Sequence, residues 1–138
     1  MEKKEFISKS PSDTWEIGEM FGKAAKKGDF YTLYGELGAG KTQFVKGMAR
    51  GIGVKDWQYV VSPSFTIMNV YEGDLILCHV DLYRISGSEV EDFALEEFLD
   101  NGIVVVEWAQ RAAWQDGVIS IKIEALSENE RKIVVNRP

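Results

Sequence analysis

Apolar positions recur along this chain in two rhythms, and the changes between them divide it into elements. Over residues 10–27, Ile17, Phe21 and Ala24 or Ala25 return at the three-to-four spacing of one helical face. Ser10 followed by Pro11, with Asp13 three residues after the cap, marks the start of that helix. Lys26, Lys27 and Gly28 mark its end, near Lys27. Residues 30–34, Phe-Tyr-Thr-Leu-Tyr, turn to aromatic and branched side chains and predict a strand. A second helix is predicted over 41–50, where Phe44, Val45, Met48 and Ala49 share one side and Gly51 ends the run.

Residues 66–71 and 75–81 predict two antiparallel strands around the turn Glu72-Gly-Asp74. Over 89–100, Val90, Phe93, Ala94, Phe98 and Leu99 keep helical spacing, and Asn101 with Gly102 closes the segment. Residues 103–106, Ile-Val-Val-Val, form the short continuous apolar run of a strand buried on both faces. Residues 118–125 and 132–135 predict a closing hairpin. The resulting order, α, β, α, β-hairpin, α, β, β-hairpin, predicts an α/β fold with a mixed parallel and antiparallel sheet flanked by helices. With 138 residues, three scattered prolines and no repeat or linker, a single domain over 1–138 is expected.

Composition narrows the chemistry. At 45% hydrophobic residues the chain has material for a core that needs no cross-links. Its single cysteine, Cys78, rules out an internal disulfide framework and a cysteine-based zinc cage, and one histidine, His79, makes a zinc enzyme an unpromising reading. Lys and Arg number 16 against 22 Asp and Glu, a net charge of −6 that argues against a basic surface gripping nucleic acid. No run of 18 apolar residues and no leader pattern occur, so the expectation is a cytoplasmic protein without a membrane span.

Residues 35–42, Gly-Glu-Leu-Gly-Ala-Gly-Lys-Thr, satisfy G-x-x-x-x-G-K-[ST] in full. Chance predicts roughly 0.01 such matches in a chain of this length and composition. The setting agrees, because a strand candidate ends at Tyr34 and a helix candidate opens at Lys41. Glycines at 35, 38 and 40 let the backbone turn its N–H groups inward, and the helix N-terminus adds partial positive charge facing a polyphosphate. Gly35, Glu36, Leu37, Gly38, Ala39, Gly40, Lys41, Thr42 and Gln43 are therefore the candidate nucleotide contacts. Lys41 would reach the β and γ phosphates and Thr42 would offer its hydroxyl to Mg2+. No asparagine is followed by lysine in the N-K-x-D pattern that reads guanine, which favours ATP.

A magnesium ion at such a loop needs a carboxylate at a strand end, and Glu107 after 103–106 competes with Asp81 after 75–80. Ser62-Pro-Ser-Phe-Thr66 places three hydroxyls, on Ser62, Ser64 and Thr66, in a loop that could face the γ-phosphate. His79 shares a strand face with Asp81, and Trp108 adjoins Glu107. Arg84 and Arg131 are possible phosphate or base contacts. The five acids of 89–97 read as a solvated face.

The loop 35–42, Ser62-Pro-Ser-Phe-Thr66, His79-Val-Asp-Leu-Tyr-Arg84 and Glu107-Trp108, in that order, resemble the bacterial TsaE (YjeE) family of P-loop ATPases that assist threonylcarbamoylation of tRNA adenosine. The resemblance implies ATP hydrolysis with Mg2+ in support of a complex with the TsaB and TsaD proteins. It assigns Lys41 to phosphate, Thr42 and Glu107 to Mg2+, and Asp81 to water activation or metal support. It makes 62–66 a switch-like loop and puts Pro11 and Thr14 near the adenine. Ser64 stands where threonine is commoner in the family, and Gln43 where a second threonine is frequent. Two other classes stand beside this one. A P-loop small-molecule kinase would need an arginine-rich lid, yet beyond the second helix only Arg84, Arg111 and Arg131 precede the body of the last strand. A nucleotide-dependent interaction switch with negligible turnover would need only binding.

Overall fold

The computed structural model describes residues 2–36, 38–63, 66–85 and 87–138. Strands β1 (Glu2–Ser8), β2 (Phe30–Tyr34), β3 (Met68–Glu72), β4 (Ile76–Asp81), β5 (Gly102–Glu107), β6 (Ile119–Ala125) and β7 (Arg131–Arg137) form one sheet in the order β1-β7-β6-β2-β5-β4-β3. The centre is parallel, with β2 between β6 and β5 and with β4 beside β5. Antiparallel pairs close both edges, β6 with β7, β7 with β1, and β3 with β4. The expected mixed α/β sheet is thus present.

Two helices cover one face, α1 (Pro11–Ala24) and α2 (Lys41–Gly51). Phe21, Phe44, Val45 and Met48 pack there on Tyr31, Leu33, Ile103, Val105 and Ile121. Full burial of each such side chain is worth about 1.5 to 3 kcal/mol. The helices approach closely because neither Gly18 nor Gly47 carries a side chain; a Cβ at Gly47 would stand 2.9 Å from Trp15 Cα. On the opposite face Cys78, Val80, Val104 and Val106 pack against Leu95 and Ala109. Strand β5 therefore buries alternate residues on both faces, as its unbroken apolar run requires. Burial pushes the Cys78 thiol up to about 12, so it acts as a core side chain.

Helix α1 opens as its sequence dictates, with Ser10 Oγ accepting Asp13 N–H at 3.1 Å and Asp13 accepting Lys9 N–H at 2.9 Å. It ends at Ala24 rather than near Lys27. The Asp29 carboxylate takes the Lys26 N–H at 2.9 Å, and this side-chain bond stabilises a turn in place of another helical turn. Residues 89–100 also depart from expectation. They lie in two 3-10 segments, Gly87–Phe93 and Leu95–Asp100, separated by Ala94 at φ 47°. Bonds of the i to i−3 type, such as Glu97 N–H to Ala94 O at 3.1 Å, replace the α pattern. The five acids there are exposed, as expected. Among the described residues no helix is long and apolar enough to cross a membrane.

Candidate functional site

Strand β2 delivers the chain into the glycine-rich loop, and α2 carries it away, so the loop sits at the carboxyl ends of the parallel strands. Such strand ends are where open α/β sheets place their ligands. Gly40 precedes α2 at φ 103°, a backbone region that L side chains rarely adopt, and gives the helix no side-chain cap. The first N–H groups of α2 are left to a partner outside the helix, together with the positive end of its dipole.

Lys41 is almost buried, at 5% exposure. Its Nζ donates to Gly35 O at 2.5 Å and to Glu36 O at 3.1 Å, and lies 4.2 Å from the Trp108 ring centroid. Burial holds its ammonium below the ordinary lysine value, while Glu107, Asp81 and Glu36 pull the other way. Thr42 Oγ1 lies 3.2 Å from both carboxylate oxygens of Glu107. Behind Glu107, His79 Nε2–H donates to Oε2 at 2.5 Å, and His79 is fully buried, with no hydrogen-bond partner for its Nδ1 among the described residues. Asp81 is held by Ser62, whose hydroxyl donates to Oδ2, and by Tyr83 N–H, which donates to Oδ1 at 2.8 Å.

These groups border a cleft of about 600 Å3. From the sequence-expected set it contains Gly38, Ala39, Gly40, Lys41, Thr42, Gln43, Pro11, Thr14, Ser62, Asp81, Arg84, Glu107, Trp108 and Arg131. Some of these side chains are already engaged. Gln43 Oε1 accepts Trp15 Nε1–H at 2.6 Å, tying α2 to α1, and the Thr14 hydroxyl pairs with Ser8 Oγ at 2.7 Å. Gly35 and Glu36 meet the site through their carbonyls on Lys41. His79 stands behind the cleft wall, where it hydrogen-bonds Glu107. Thr66 is exposed, outside the cleft lining, and donates its hydroxyl to Asn69. Leu37 and Ser64 lie outside the described residues.

The cleft also recruits Ser10, Tyr83, Glu128 and Asn129, which sequence reasoning did not assign to it. Tyr83 sits inside the quoted 79–84 motif, so a signal for it existed. Glu128 and Asn129 form the tip of the β6–β7 connection and belong to no motif.

A parallel-centred sheet, a glycine loop running into α2 and acids at the ends of the neighbouring strands define a P-loop NTPase fold. The chain belongs to the TsaE family, since the family model described as "Threonylcarbamoyl adenosine biosynthesis protein TsaE" matches residues 8–133. It is 43% identical over 135 residues to the tRNA threonylcarbamoyladenosine biosynthesis protein TsaE of Aquifex aeolicus, covering 97% of this chain and 96% of that one. It is 41% identical over 128 residues to the protein of the same name from Bacillus subtilis, covering 90% and 79%. The crystal structure of Bacillus subtilis YdiB superposes with a TM-score of 0.80 at 32% identity, over 99% of this chain and 86% of that one.

Proposed function

We propose that this chain binds ATP with Mg2+ at residues 35–43, hydrolyses it, and thereby serves tRNA threonylcarbamoyladenosine biosynthesis together with TsaB and TsaD. The observation that carries the reading is the pairing of Thr42 with Glu107 at 3.2 Å beneath the uncapped start of α2, one residue from a buried lysine. The family membership of the chain and the names of its relatives supply the pathway.

The donor set fits the cation. Thr42, Glu107 and Asp81 offer hard oxygens, and Mg2+ keeps several waters while taking one or two carboxylates plus substrate phosphates. Among the described residues no group of three or more His, Cys, Asp or Glu forms a separate metal cage. When bound, Mg2+ neutralises charge building across the β and γ phosphates. The first N–H groups of α2 and Lys41 would hold the phosphate oxygens, and Thr42 with Glu107 would hold the metal. His79 fixes the Glu107 carboxylate through Oε2. Asp81, whose Oδ1 accepts a main-chain N–H and Oδ2 the Ser62 hydroxyl, would orient the attacking water and accept its proton.

The test is phosphate release from ATP by the purified chain, with and without Mg2+ and with and without TsaB and TsaD. Mg2+-dependent turnover that rises with the partners is expected. Nucleotide binding without turnover under any condition would leave an interaction switch instead. Failure to bind ATP would overturn the whole reading.

A further inference from the structure

Arg131 opens β7, and its guanidinium reaches back 92 residues along the chain to the glycine-rich loop. Nε–H donates to Ala39 O at 2.9 Å and Nη2–H donates to Gly38 O at 3.3 Å. On its other side, Nη1–H bonds reach Ser127 O at 2.9 Å, Glu128 O at 3.2 Å and Glu130 O at 3.0 Å. Five main-chain carbonyls from two separate loops thus converge on one planar cation, which stays charged at any working pH.

The arrangement has a direct consequence for the loop. Gly38 at φ 81° and Gly40 at φ 103° flank Ala39, and glycines lose the most conformational freedom when a backbone is fixed. Across a planar trans peptide the carbonyl and the next N–H point in opposite directions. A carbonyl of Ala39 drawn to Arg131 therefore turns the Gly40 N–H away from Arg131. The tip that holds the other edge of the guanidinium carries Glu128 and Asn129, which border the same cleft.

We propose that Arg131 is a positioning residue that sets the phosphate-binding loop in its binding geometry before a nucleoside diphosphate or triphosphate arrives, and ties that loop to the β6–β7 tip. This rests on the reading of 35–43 as a phosphate cradle. A clamp on the loop backbone acts on every ligand that uses the cradle, so ADP and ATP depend on it equally. An arginine that touched the γ-phosphate would favour ATP alone. Lysine keeps the charge and loses the planar fork, so it does not substitute for a two-sided clamp.

The experiment titrates the full chain, R131K and R131Q with MgADP and with Mg2+ and a non-hydrolysable ATP analogue by calorimetry, alongside thermal melts and steady-state turnover. Both variants are expected to weaken both nucleotides by the same factor, about tenfold, with kcat at saturating ATP kept within about twofold. R131K carries the test alone if R131Q does not fold. Unchanged affinities with a lowered Tm would reduce Arg131 to a fold-stabilising residue and overturn the proposal. A loss confined to the ATP analogue would also overturn it, in favour of a direct γ-phosphate contact. A full chain that binds neither nucleotide removes the phosphate cradle and this proposal together, whereas normal binding by the variants removes this proposal only.

Discussion

Asp81 and Glu107 stand opposite each other in the β4–β5 register, at the carboxyl ends of adjacent parallel strands, yet their carboxylates have separate partners. Glu107 is shared by Thr42 and His79, whereas Asp81 is shared by Ser62 and the Tyr83 main chain. The two are only 3% and 2% exposed, and each raises the Lys41 proton affinity through its charge. One buried cation therefore faces a pair of strand-end acids, of which one belongs to the helix side of the cleft and the other to the loop 62–66 side. The division of partners motivates a division of labour.

Glu107→Ala is expected to raise the Mg2+ concentration needed for half-maximal turnover, because it removes the carboxylate beside Thr42. Asp81→Asn is expected to lower the rate at saturating Mg2+ and to leave the Mg2+ requirement near normal. Magnesium titrations of turnover in both variants check this. The opposite pattern would exchange the two roles.

Lys41→Met is expected to weaken nucleotide binding by roughly 1.5 to 3 kcal/mol, the value of a hydrogen bond to a charged group, and to abolish turnover. Burial lowers the Lys41 proton affinity, so the folded state carries a cost wherever the lysine is protonated in both states. That cost is present below the folded-state value and is relieved as pH rises toward the ordinary lysine value of 10.5. Stability of the native chain relative to Lys41→Met should therefore improve with pH across that window, and nucleotide affinity should start to fall at lower pH than an ordinary lysine would dictate. Melting curves and titrations across pH 7 to 10.5 test both signs.

Much of the site was legible because its chemistry is local in sequence. The 35–42 pattern fixes strand, loop and helix within one stretch, and the acids close short apolar runs, so Lys41, Thr42, Asp81 and Glu107 could be named without the fold. What could not be read depends on register between distant strands. Arg131 meets Ala39 only because β6 lies beside β2 and β7 beside β6. Strand β1 escaped for a different reason: Glu2, Lys3, Lys4 and Glu5 are all exposed, so the edge strand has no apolar alternation until Phe6. Over 89–100 the spacing that suggested a helix is real, yet 3-10 turns also bring residues three apart onto one side. Periodicity alone therefore could not separate the two.

Trp108 is expected to report the nucleotide. It sits at φ 57° beside Glu107, with Lys41 Nζ 4.2 Å above its ring and Tyr83 4.8 Å away between centroids. A phosphate that engages Lys41 alters the charge over this ring. Trp57 and Trp114 are placed elsewhere, Trp57 against Trp15 and Trp114 against Phe30, and Trp15 meets the cleft through its bond to Gln43 and away from Lys41. Trp108→Phe should abolish most of the fluorescence change on adding MgADP and weaken binding by about 0.5 to 1 kcal/mol. A full fluorescence response in that variant would show that the ring does not sense the ligand.

Partner binding should depend on the nucleotide, while the isolated chain binds tRNA poorly. The net charge of −6 opposes contact with a polyanion, and Lys23, Lys26 and Lys27 supply only a small basic group. The dependence on nucleotide rests on the segment that leads into β3. Ser62 donates to Asp81, Ile67 N–H donates to Pro63 O at 2.6 Å, and Asp81 N–H donates to Ile67 O at 2.9 Å. Ile67 holds φ 71°, a strained backbone for a β-branched residue, of order 1 to 3 kcal/mol. Ile67 is bonded to the Asp81 main chain and Ser62 to the Asp81 carboxylate, so a partner that touches Ser62 or Ile67 and binds better when Ser62 has released Asp81, or better when it has not, would sense the site. The measurement is affinity of the TsaB and TsaD pair for this chain with an ATP analogue, with ADP and with no nucleotide, repeated for Ile67→Gly, beside a direct tRNA titration. Tightest binding with the ATP analogue is expected, with a smaller spread among the three states in Ile67→Gly because glycine holds that φ without strain. Equal affinity in all three states for the native chain would remove the coupling, and tight tRNA binding by the chain alone would overturn the charge argument.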